Sequence, residues 1–174
     1  MEKGMIAESE RLLIEEFTPD MAGDVQLNSL DEDTERYLPD EVFRTLEKAR
    51  STVEHLISRY GTADGPFVYA VLTKDGGKNV GYVQLAEFED GRWEIGYHIG
   101  KRFTGEGYAT EAVKAFLPAM AIKLGIEEVY GICLKENKAS CRVLEKCGFE
   151  RYFTGICDYQ GELRVCEKYV YKIG

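Results

Sequence analysis

The sequence has little of what marks membrane, fibrous or nucleic-acid-binding proteins. Its longest apolar runs fall well short of the roughly 18 residues that suggest a membrane span. No repeat of the fibrous kind runs through it. It has 22 basic residues against 31 acidic ones, for a formal net charge of −9. This balance repels phosphate backbones and anionic lipids, so it argues against a nucleic-acid or membrane-surface role.

Cysteine is also scarce, and its spacing lacks the CxxC pairs of zinc sites. No metal is therefore expected. The first ten residues lack the charged start, apolar stretch and cleavage site of a secretory signal. We therefore expect a cytoplasmic protein with reduced, mostly buried thiols, which are Cys133, Cys141, Cys147, Cys157 and Cys166.

What is present suits an ordinary globular protein. The 174 residues, 44% of them hydrophobic, predict a single domain over residues 1–174. Alternating apolar residues predict strands at Arg11–Phe17, Phe67–Leu72, Val80–Glu87, Trp93–Ile99 and Glu128–Leu134, and around Phe149–Cys157 and Leu163–Lys172. Helical spacing predicts helices from Thr18 to near Asn28, and over Glu41–Tyr60, Gly107–Leu124 and Lys138–Cys147.

One part of this order fixes strand direction. The predicted strand, helix and strand between Trp93 and Leu134 form a crossover connection, so the two strands should be parallel. The short turns before Trp93 instead predict an antiparallel meander. The fold class is therefore mixed α and β, with one parallel strand pair in a mostly antiparallel sheet.

The most informative segment runs from Trp93 to Ala112, where a predicted strand enters a glycine-containing turn that opens a helix. Such a turn leaves main-chain amides without partners, and the helix dipole adds positive charge, so it suits a pyrophosphate. Gly105 and Gly107 let a ligand approach the backbone closely. The turn is neither a P-loop nor a dinucleotide fingerprint. Taken alone, it is explained equally well as a tight entry into a helix.

Two motifs together resemble the GNAT superfamily of N-acetyltransferases. Arg102-x-x-Gly105-x-Gly107 is similar to its acyl-CoA pyrophosphate signature, and Asn137-Lys138-Ala139-Ser140 with Leu144–Phe149 resembles its second motif. The Glu-Ile-Gly-Tyr strand and the Gly-Tyr-Ala-Thr-Glu-Ala helix start are typical of its RimJ/RimL-like branch. The resemblance covers nearly the whole chain. It implies the GNAT fold, an α+β arrangement with a twisted, mostly antiparallel sheet and flanking helices.

The resemblance also implies a reaction and a co-substrate. An acetyl group would pass from acetyl-CoA to a primary amine by direct attack in a ternary complex. The main chain of Tyr97 and Ile99 would bind the pantetheine arm like an added strand, and the Asn137 side chain would hydrogen-bond it. The amides of the turn would hold the pyrophosphate; these belong to Arg102, Phe103, Thr104, Gly105, Glu106, Gly107, Tyr108 and Ala109.

An attacking amine must first lose a proton, and Glu94 is the first candidate base. Strand alternation places it on the face opposite Ile95 and Tyr97. The alternative is an exposed carboxylate paired with a basic neighbour. His98 shares the face of Glu94 but lies roughly 13 Å along the strand, so the two are not expected to act on one proton. A hydrogen-bonded structural histidine is the favoured interpretation of His98.

The leaving CoA sulfur needs a hydrogen-bond donor. Many members of the superfamily carry a tyrosine four residues after the position of Ser140, where this sequence has Leu144. The resemblance therefore assigns the donor role to Ser140, with a serine that satisfies a backbone amide at a helix start as the alternative. Cys141 is interpreted as a packed thiol, because direct transfer needs no covalent enzyme intermediate.

The acceptor is less well defined. The RimJ/RimL-like branch implies protein N-termini or small cationic amines. Acidic residues Asp31, Glu32, Asp33 and Glu35 either line the acceptor entrance or form a solvated turn, and Tyr37, Trp93 and Phe103 are candidates to shape the pocket. A non-catalytic acyl-CoA-binding module and a binding protein for a cationic partner remain alternative functions. A homodimer through the closing strands also stays open.

Overall fold

The computed structural model describes residues 4–64 and 67–174. In this part of the chain eight strands form one sheet in the order β1-β2-β3-β4-β5-β6-β8-β7. The strands are β1 (Met5–Glu8), β2 (Leu12–Glu15), β3 (Phe67–Thr73), β4 (Asn79–Glu87), β5 (Trp93–Ile99), β6 (Glu128–Leu134), β7 (Glu150–Tyr159) and β8 (Glu162–Lys172).

In the same described residues five α-helices cover the sheet: α1 (Ala22–Ser29), α2 (Glu32–Tyr37), α3 (Leu46–Arg59), α4 (Tyr108–Leu124) and α5 (Lys138–Lys146). Three 3₁₀ turns lie at Pro19–Met21, Pro39–Glu41 and Lys101–Phe103. In the described ranges, no helix has both the length and the apolar character needed to cross a membrane.

The predicted parallel pair is confirmed. β5 and β6 run parallel, with Trp93 opposite Val129 and Glu94 opposite Tyr130, and every other strand pair is antiparallel in the described residues. No further pairing of β5 with β6 follows Glu94. The two strands therefore separate toward their carboxyl ends, and this gap is where the candidate site lies.

The helices divide between the two faces of the sheet. The larger apolar cluster lies under α4 and α5 and includes Phe116, Met120 and Tyr169. A smaller cluster, which includes Phe17 and Val53, lies under α1 and α3. Since neighbouring residues of a strand face opposite sides, β5 directs Ile95 toward the α4–α5 face and Glu94 toward the other.

The elements differ from the sequence prediction near the N terminus. The strand β1 was not predicted, and the acidic connection contains the helix α2, whose first turn is capped because Asp31 accepts a hydrogen bond from the Thr34 amide. The helix predicted from Glu41 begins at Leu46, since Thr45 caps it. The helix predicted from Thr18 begins instead with the 3₁₀ turn Pro19–Met21, which the Thr18 hydroxyl does not cap because it bonds Asp20.

The prediction that all five thiols are reduced is wrong. Cys157 and Cys166 form a disulfide between β7 and β8, while Cys133, Cys141 and Cys147 are free. The sheet register explains the bond, since the two cysteines are diagonal neighbours on one face of the hairpin, with Cα atoms 6.2 Å apart.

Candidate active site

The glycine-containing turn joins β5 to α4 and exposes the start of that helix. Gly105 and Gly107 have positive φ angles of 84° and 79°. Gly107 is the N-cap of α4, and no side chain caps the helix among the described residues. The left-handed backbone explains why glycine occupies both positions, because residues with a Cβ adopt it at an energetic cost.

The amides that follow Thr104 have the character of an anion site. In residues 4–64 and 67–174, no hydrogen bond engages the amides of residues 105–110. They lie at the positive end of the α4 dipole, which suits a pyrophosphate. The amides of Phe103 and Thr104, by contrast, donate to carbonyls in and just before the 3₁₀ turn. Two of the predicted amide donors are thereby engaged inside the protein.

A side chain from the connection between β1 and β2 holds the turn in place. The Arg11 guanidinium donates to the Glu106 carbonyl at 2.9 Å and to the Glu111 carboxylate at 2.7 Å. It also lies 4.7 Å from the centroid of the Tyr108 ring. In a trans peptide the carbonyl and the next amide point in opposite directions, so the Gly107 N–H points away from Arg11. Arg11 thus orients this part of the turn.

The gap between β5 and β6 exposes main-chain groups. The Gly100 amide donates to the Val80 carbonyl, so at this end of β5 the main chain of Gly100 faces β4. Successive residues of a strand direct their polar groups to alternate sides. The amides and carbonyls of Tyr97 and Ile99 therefore point away from β4 and into the gap. An extended arm of a ligand can pair with them as an added strand would.

The N terminus of α5 forms the other wall of the gap. The Asn137 side chain caps this helix by accepting a hydrogen bond from the Ser140 amide at 3.3 Å. The Tyr97 hydroxyl reaches across from β5 and lies 2.9 Å from the Ser140 carbonyl oxygen and 3.0 Å from Ser140 Oγ. The capping role considered for Ser140 thus belongs to Asn137, and the serine hydroxyl faces Tyr97.

A cavity of about 560 Å³ connects the gap with the α1–α3 face of the sheet. Seven of the predicted site residues line it: Glu94, Tyr97, Ile99, Thr104, Ala109, Asn137 and Ser140. The other six lie outside this lining, on the turn itself: Arg102, Phe103, Gly105, Glu106, Gly107 and Tyr108. The cavity therefore brings the two predicted catalytic residues into one enclosure with the main chain of the gap.

Glu94 is half-buried in the cavity wall. Burial raises its pKa to about 7, although the positive charges of Arg92 and Lys168 oppose the shift. No hydrogen bond or ion pair of the described residues engages its carboxylate. A carboxylate of this kind gains and loses a proton near neutral pH, as a general base must.

His98 is held in a hydrogen-bonded chain. Its Nε2 lies 2.8 Å from Thr34 Oγ1, and the Thr34 hydroxyl donates to Asp31 Oδ2 at 2.7 Å. Burial lowers the pKa of His98, and nearby Asp31 opposes that shift only in part. The ring therefore tethers α2 to β5, which agrees with the structural interpretation of this histidine.

The predicted acidic entrance is partly present. Asp31 and Asp33 line the cavity, and Asp33 forms an ion pair with Lys101. Glu32 and Glu35 lie outside the lining, and Glu35 pairs with Arg44. Of the three aromatic candidates, Tyr37 lines the cavity, whereas Trp93 and Phe103 pack against the core under α4 and α5.

Several lining residues were not identified from the sequence. Glu41 accepts a hydrogen bond from the Tyr82 hydroxyl, and burial raises the pKa of both groups. Tyr159 of the β7–β8 hairpin lines the cavity as well, next to Asp158. A signal for Tyr82 did exist, because it pairs with His98 across the antiparallel β4–β5 hairpin.

A separate cluster of metal-ligating residue types lies under α5. Cys133, Cys141 and Glu167 are buried, with ligand atoms within 4.8 Å of one another. The spacing argument against zinc did not foresee this cluster. Both oxygens of Glu167 already have protein partners, since Arg151 contacts one at 3.1 Å and the Tyr169 hydroxyl donates to the other at 2.7 Å. Residues outside the cluster therefore already engage its carboxylate.

Comparisons with known proteins agree with this geometry. The Acetyltransferase (GNAT) domain family matches residues 11–150. The N-acetyltransferase YnaD of Bacillus subtilis (strain 168), itself uncharacterized, is 28% identical over 144 residues, which is 82% of this chain and 81% of YnaD.

Solved structures give the same result. A GNAT-family acetyltransferase from Bacillus anthracis superposes with a TM-score of 0.81 at 27% identity, over 97% of this chain and 98% of that one. RimL, a ribosomal L7/L12 α-N-protein acetyltransferase solved with coenzyme A, shares the fold with a TM-score of 0.81 at 19% identity, over 97% and 98% of the two chains. The chain therefore belongs to the acetyltransferase (GNAT) domain family and is an acetyl-CoA-dependent N-acetyltransferase.

Proposed function

We propose that the protein acetylates the primary amine of a peptide N terminus or of a small cationic molecule, by direct attack in a ternary complex. One observation carries this proposal. Glu94, with a pKa raised to about 7, lines the same cavity as the main chain of Tyr97 and the hydroxyl of Ser140. A proton acceptor and a hydrogen-bond donor thus flank the place where an acetyl group can enter from the gap.

Each predicted residue has a defined task in this mechanism. The amides that follow Thr104 bind the pyrophosphate, and the main chain of Tyr97 and Ile99 aligns the pantetheine arm. The Asn137 carboxamide donates to that arm. Hydrogen bonds from main-chain amides beside Gly96 polarise the carbonyl that is attacked. These contacts convert the transfer into a step between positioned groups.

Glu94 prepares the acceptor. A primary amine resembling lysine is mostly protonated near neutral pH, since its pKa is about 10.4. Glu94 accepts the proton directly or through one water, and the free amine attacks the acetyl carbon. Ser140 donates a hydrogen bond to the sulfur that leaves. A positioned base of this type contributes about 10²–10⁴ in rate.

The charge of the cavity favours a cationic acceptor. Its described lining contains the carboxylates of Asp31, Asp33, Glu41, Glu94 and Asp158, and its one amine is that of Lys101, which pairs with Asp33. Carboxylates concentrated in a cleft raise the local concentration of cations. A structural relative is described as modifying the N-terminal serine of ribosomal protein L7/L12. A peptide N terminus is therefore one acceptor class to test beside small amines.

An acyl-CoA-binding module without catalysis would retain the turn but would not need Glu94 or Ser140. Release of CoA thiol should be followed with a panel of free peptide N-termini, polyamines and aminoglycosides. We expect turnover of at least one cationic class, and its loss in Glu94→Gln with binding of acetyl-CoA retained. Tight binding of acetyl-CoA with no turnover of any amine in the panel, and no difference between the variant and the parent, would support the binding module instead.

A further inference from the structure

We propose that Tyr97 is a positioning residue for the leaving group, which orients the hydroxyl of Ser140 toward the CoA sulfur. This inference rests on the proposed function and adds a side-chain role to a residue that the resemblance involves through its main chain alone. The Tyr97 side chain extends from β5 to α5, where its hydroxyl contacts Ser140.

Leu144 stands where many members of the superfamily carry a tyrosine. This residue is 1% exposed and packs against Gly131 and the apolar cluster under α5. Its side chain also borders the cavity but offers it no polar atom. A second hydroxyl beside Ser140 has to come from another element, and the alternation of β5 supplies it by directing Tyr97 to the α5 side.

The number of hydrogens that the two hydroxyls can donate limits how they pair. The Tyr97 hydroxyl has one hydrogen, and two oxygens of Ser140 lie within reach, the carbonyl at 2.9 Å and Oγ at 3.0 Å. The carbonyl can only accept, so in one arrangement Tyr97 donates to it; in the other, which the proposal requires, Tyr97 donates to Oγ and the serine hydrogen is free to point toward a third atom. Both side chains line the cavity, so that third atom can belong to a bound thioester. Chains of hydrogen bonds polarise one another, which makes Ser140 a better donor.

The leaving sulfur takes up negative charge. When the bond between the acetyl carbon and sulfur breaks, its electron pair goes to sulfur, and the remaining extra proton on the former amine nitrogen goes to water, because Glu94 already holds the first. The sulfur leaves as a thiolate, hydrogen-bonded to Ser140, and takes a proton from solvent on release. Thiols ionise near about 8.5, well below hydroxyl groups, so Ser140 and Tyr97 stabilise the anion while keeping their own protons.

The surroundings keep Tyr97 in its donor form. Burial raises the pKa of its hydroxyl well above the usual range. The titratable groups around it are the thiols of Cys133 on β6, of Cys141 on α5 and of Cys147 just after α5. Burial raises the pKa of each of these thiols, that of Cys147 to about 11, so all three are neutral near physiological pH. These thiols therefore carry no charge that would shift the pKa of the CoA thiol.

The test measures the ionisation of bound CoA itself. The ultraviolet absorbance of the CoA thiolate is titrated with pH in the complex, as a difference spectrum against protein without CoA. We expect the parent to lower the thiol pKa below that of free CoA, because Ser140 stabilises the anion. Tyr97→Phe and Ser140→Ala should each move it back toward the free value, and the double variant should add little, because the two residues act as one chain.

Kinetics and a control complete the experiment. Tyr97→Phe should lower kcat about ten-fold or more while KM for acetyl-CoA changes little, since Ser140 loses the hydrogen bond that orients and polarises it toward the developing charge. Tyr69→Phe, at a tyrosine buried in the core away from the cavity, should leave both the thiol pKa and kcat unchanged.

Two results would overturn the proposal. If Tyr97→Phe binds CoA with the thiol pKa of the parent, Tyr97 is structural, and the proposed function still stands. If it lowers kcat while Ser140→Ala does not, Tyr97 does not act through Ser140. Failure of the parent protein to bind CoA would instead count against the proposed function, so the two failures are distinguishable.

Discussion

Replacing Glu94 by glutamine should make the protein more stable at high pH and less active at the same time. In the folded protein burial raises the pKa of Glu94 from 4.5 to about 7. Ionised Glu94 therefore opposes folding. Its unfavourable contribution to stability is small below pH 4.5, grows between pH 4.5 and about 7, and is complete above about 7. The shift corresponds to about 3 kcal/mol of unfolding free energy.

Glu94→Gln is expected to change the unfolding free energy and the activity in opposite directions. Urea unfolding of Glu94→Gln should give nearly the same free energy as the parent near pH ~4 and ~3 kcal/mol more near pH ~9. In the parent, kcat/KM should rise with an ionisation near pH 7, the value for Glu94. The variant should lose that ionisation and about a hundredfold or more in rate.

A matched control is Glu87→Gln, at an exposed carboxylate that ends the neighbouring strand β4 and lies outside the cavity. It should change neither profile. The reasoning about Glu94 would be refuted if the stability difference between Glu94→Gln and the parent stayed constant from about pH 4 to about pH 9. A full rate with an unchanged acid limb in the variant would refute its role as a base.

Three further predictions concern other parts of the molecule. Gly107→Ala places a Cβ at a φ of 79° in the anion site and should weaken CoA binding, as measured by calorimetry, whereas Gly125→Ala, at a φ of 66° beyond the other end of α4, should lower stability alone. Reducing the Cys157–Cys166 disulfide, which closes a loop with a sequence separation of 9, should lower the unfolding free energy by about 2–3 kcal/mol, and an unchanged thermal midpoint would contradict this. Among acceptor peptides of equal length, a basic one should give a higher kcat/KM than an acidic one, with the difference shrinking as salt is added; equal values would count against the acidic cavity as a selector.

Strong local patterns explain why much of the fold could be predicted. The alternation in Trp93–Ile99 predicts a strand, and the long apolar face that follows it predicts a helix. A strand, a helix and a further strand in this order require a parallel pair. The helix α2 was missed because it is six residues long, mostly charged, and buries Thr34 alone. Its signal is the cap, with Asp31 three residues before Thr34, and such caps are also common in turns.

The parts of the site formed by consecutive residues could be predicted from the sequence. Contacts between side chains on separate elements could not. The turn with Gly105 and Gly107 is read from consecutive residues. The hydroxyl contact of Tyr97 with Ser140 depends on how far α5 lies from β5, which is set by packing beneath both. Tyr82 is an intermediate case, because the β4–β5 register places it beside His98, but the approach of Glu41 comes from a segment between two helices.

The disulfide shows the same limit. Cys157 and Cys166 become neighbours through the register of the β7–β8 hairpin, with Cys166 opposite Gly155 and Cys157 opposite Arg164. The sequence positions alone permit this pairing among many others. A prediction of reduced thiols from the apparent cell compartment therefore had no access to the geometry that decides the bond.

The binding of CoA to the turn is tested most directly by amide hydrogen exchange with and without CoA. Residues 105–110 have amides that no described residue engages, so in the free protein they should exchange rapidly. On binding, the account predicts that exchange slows at these amides and at those of Tyr97 and Ile99. Tight CoA binding that protects another surface, with residues 105–110 still exchanging at the free rate, would contradict it.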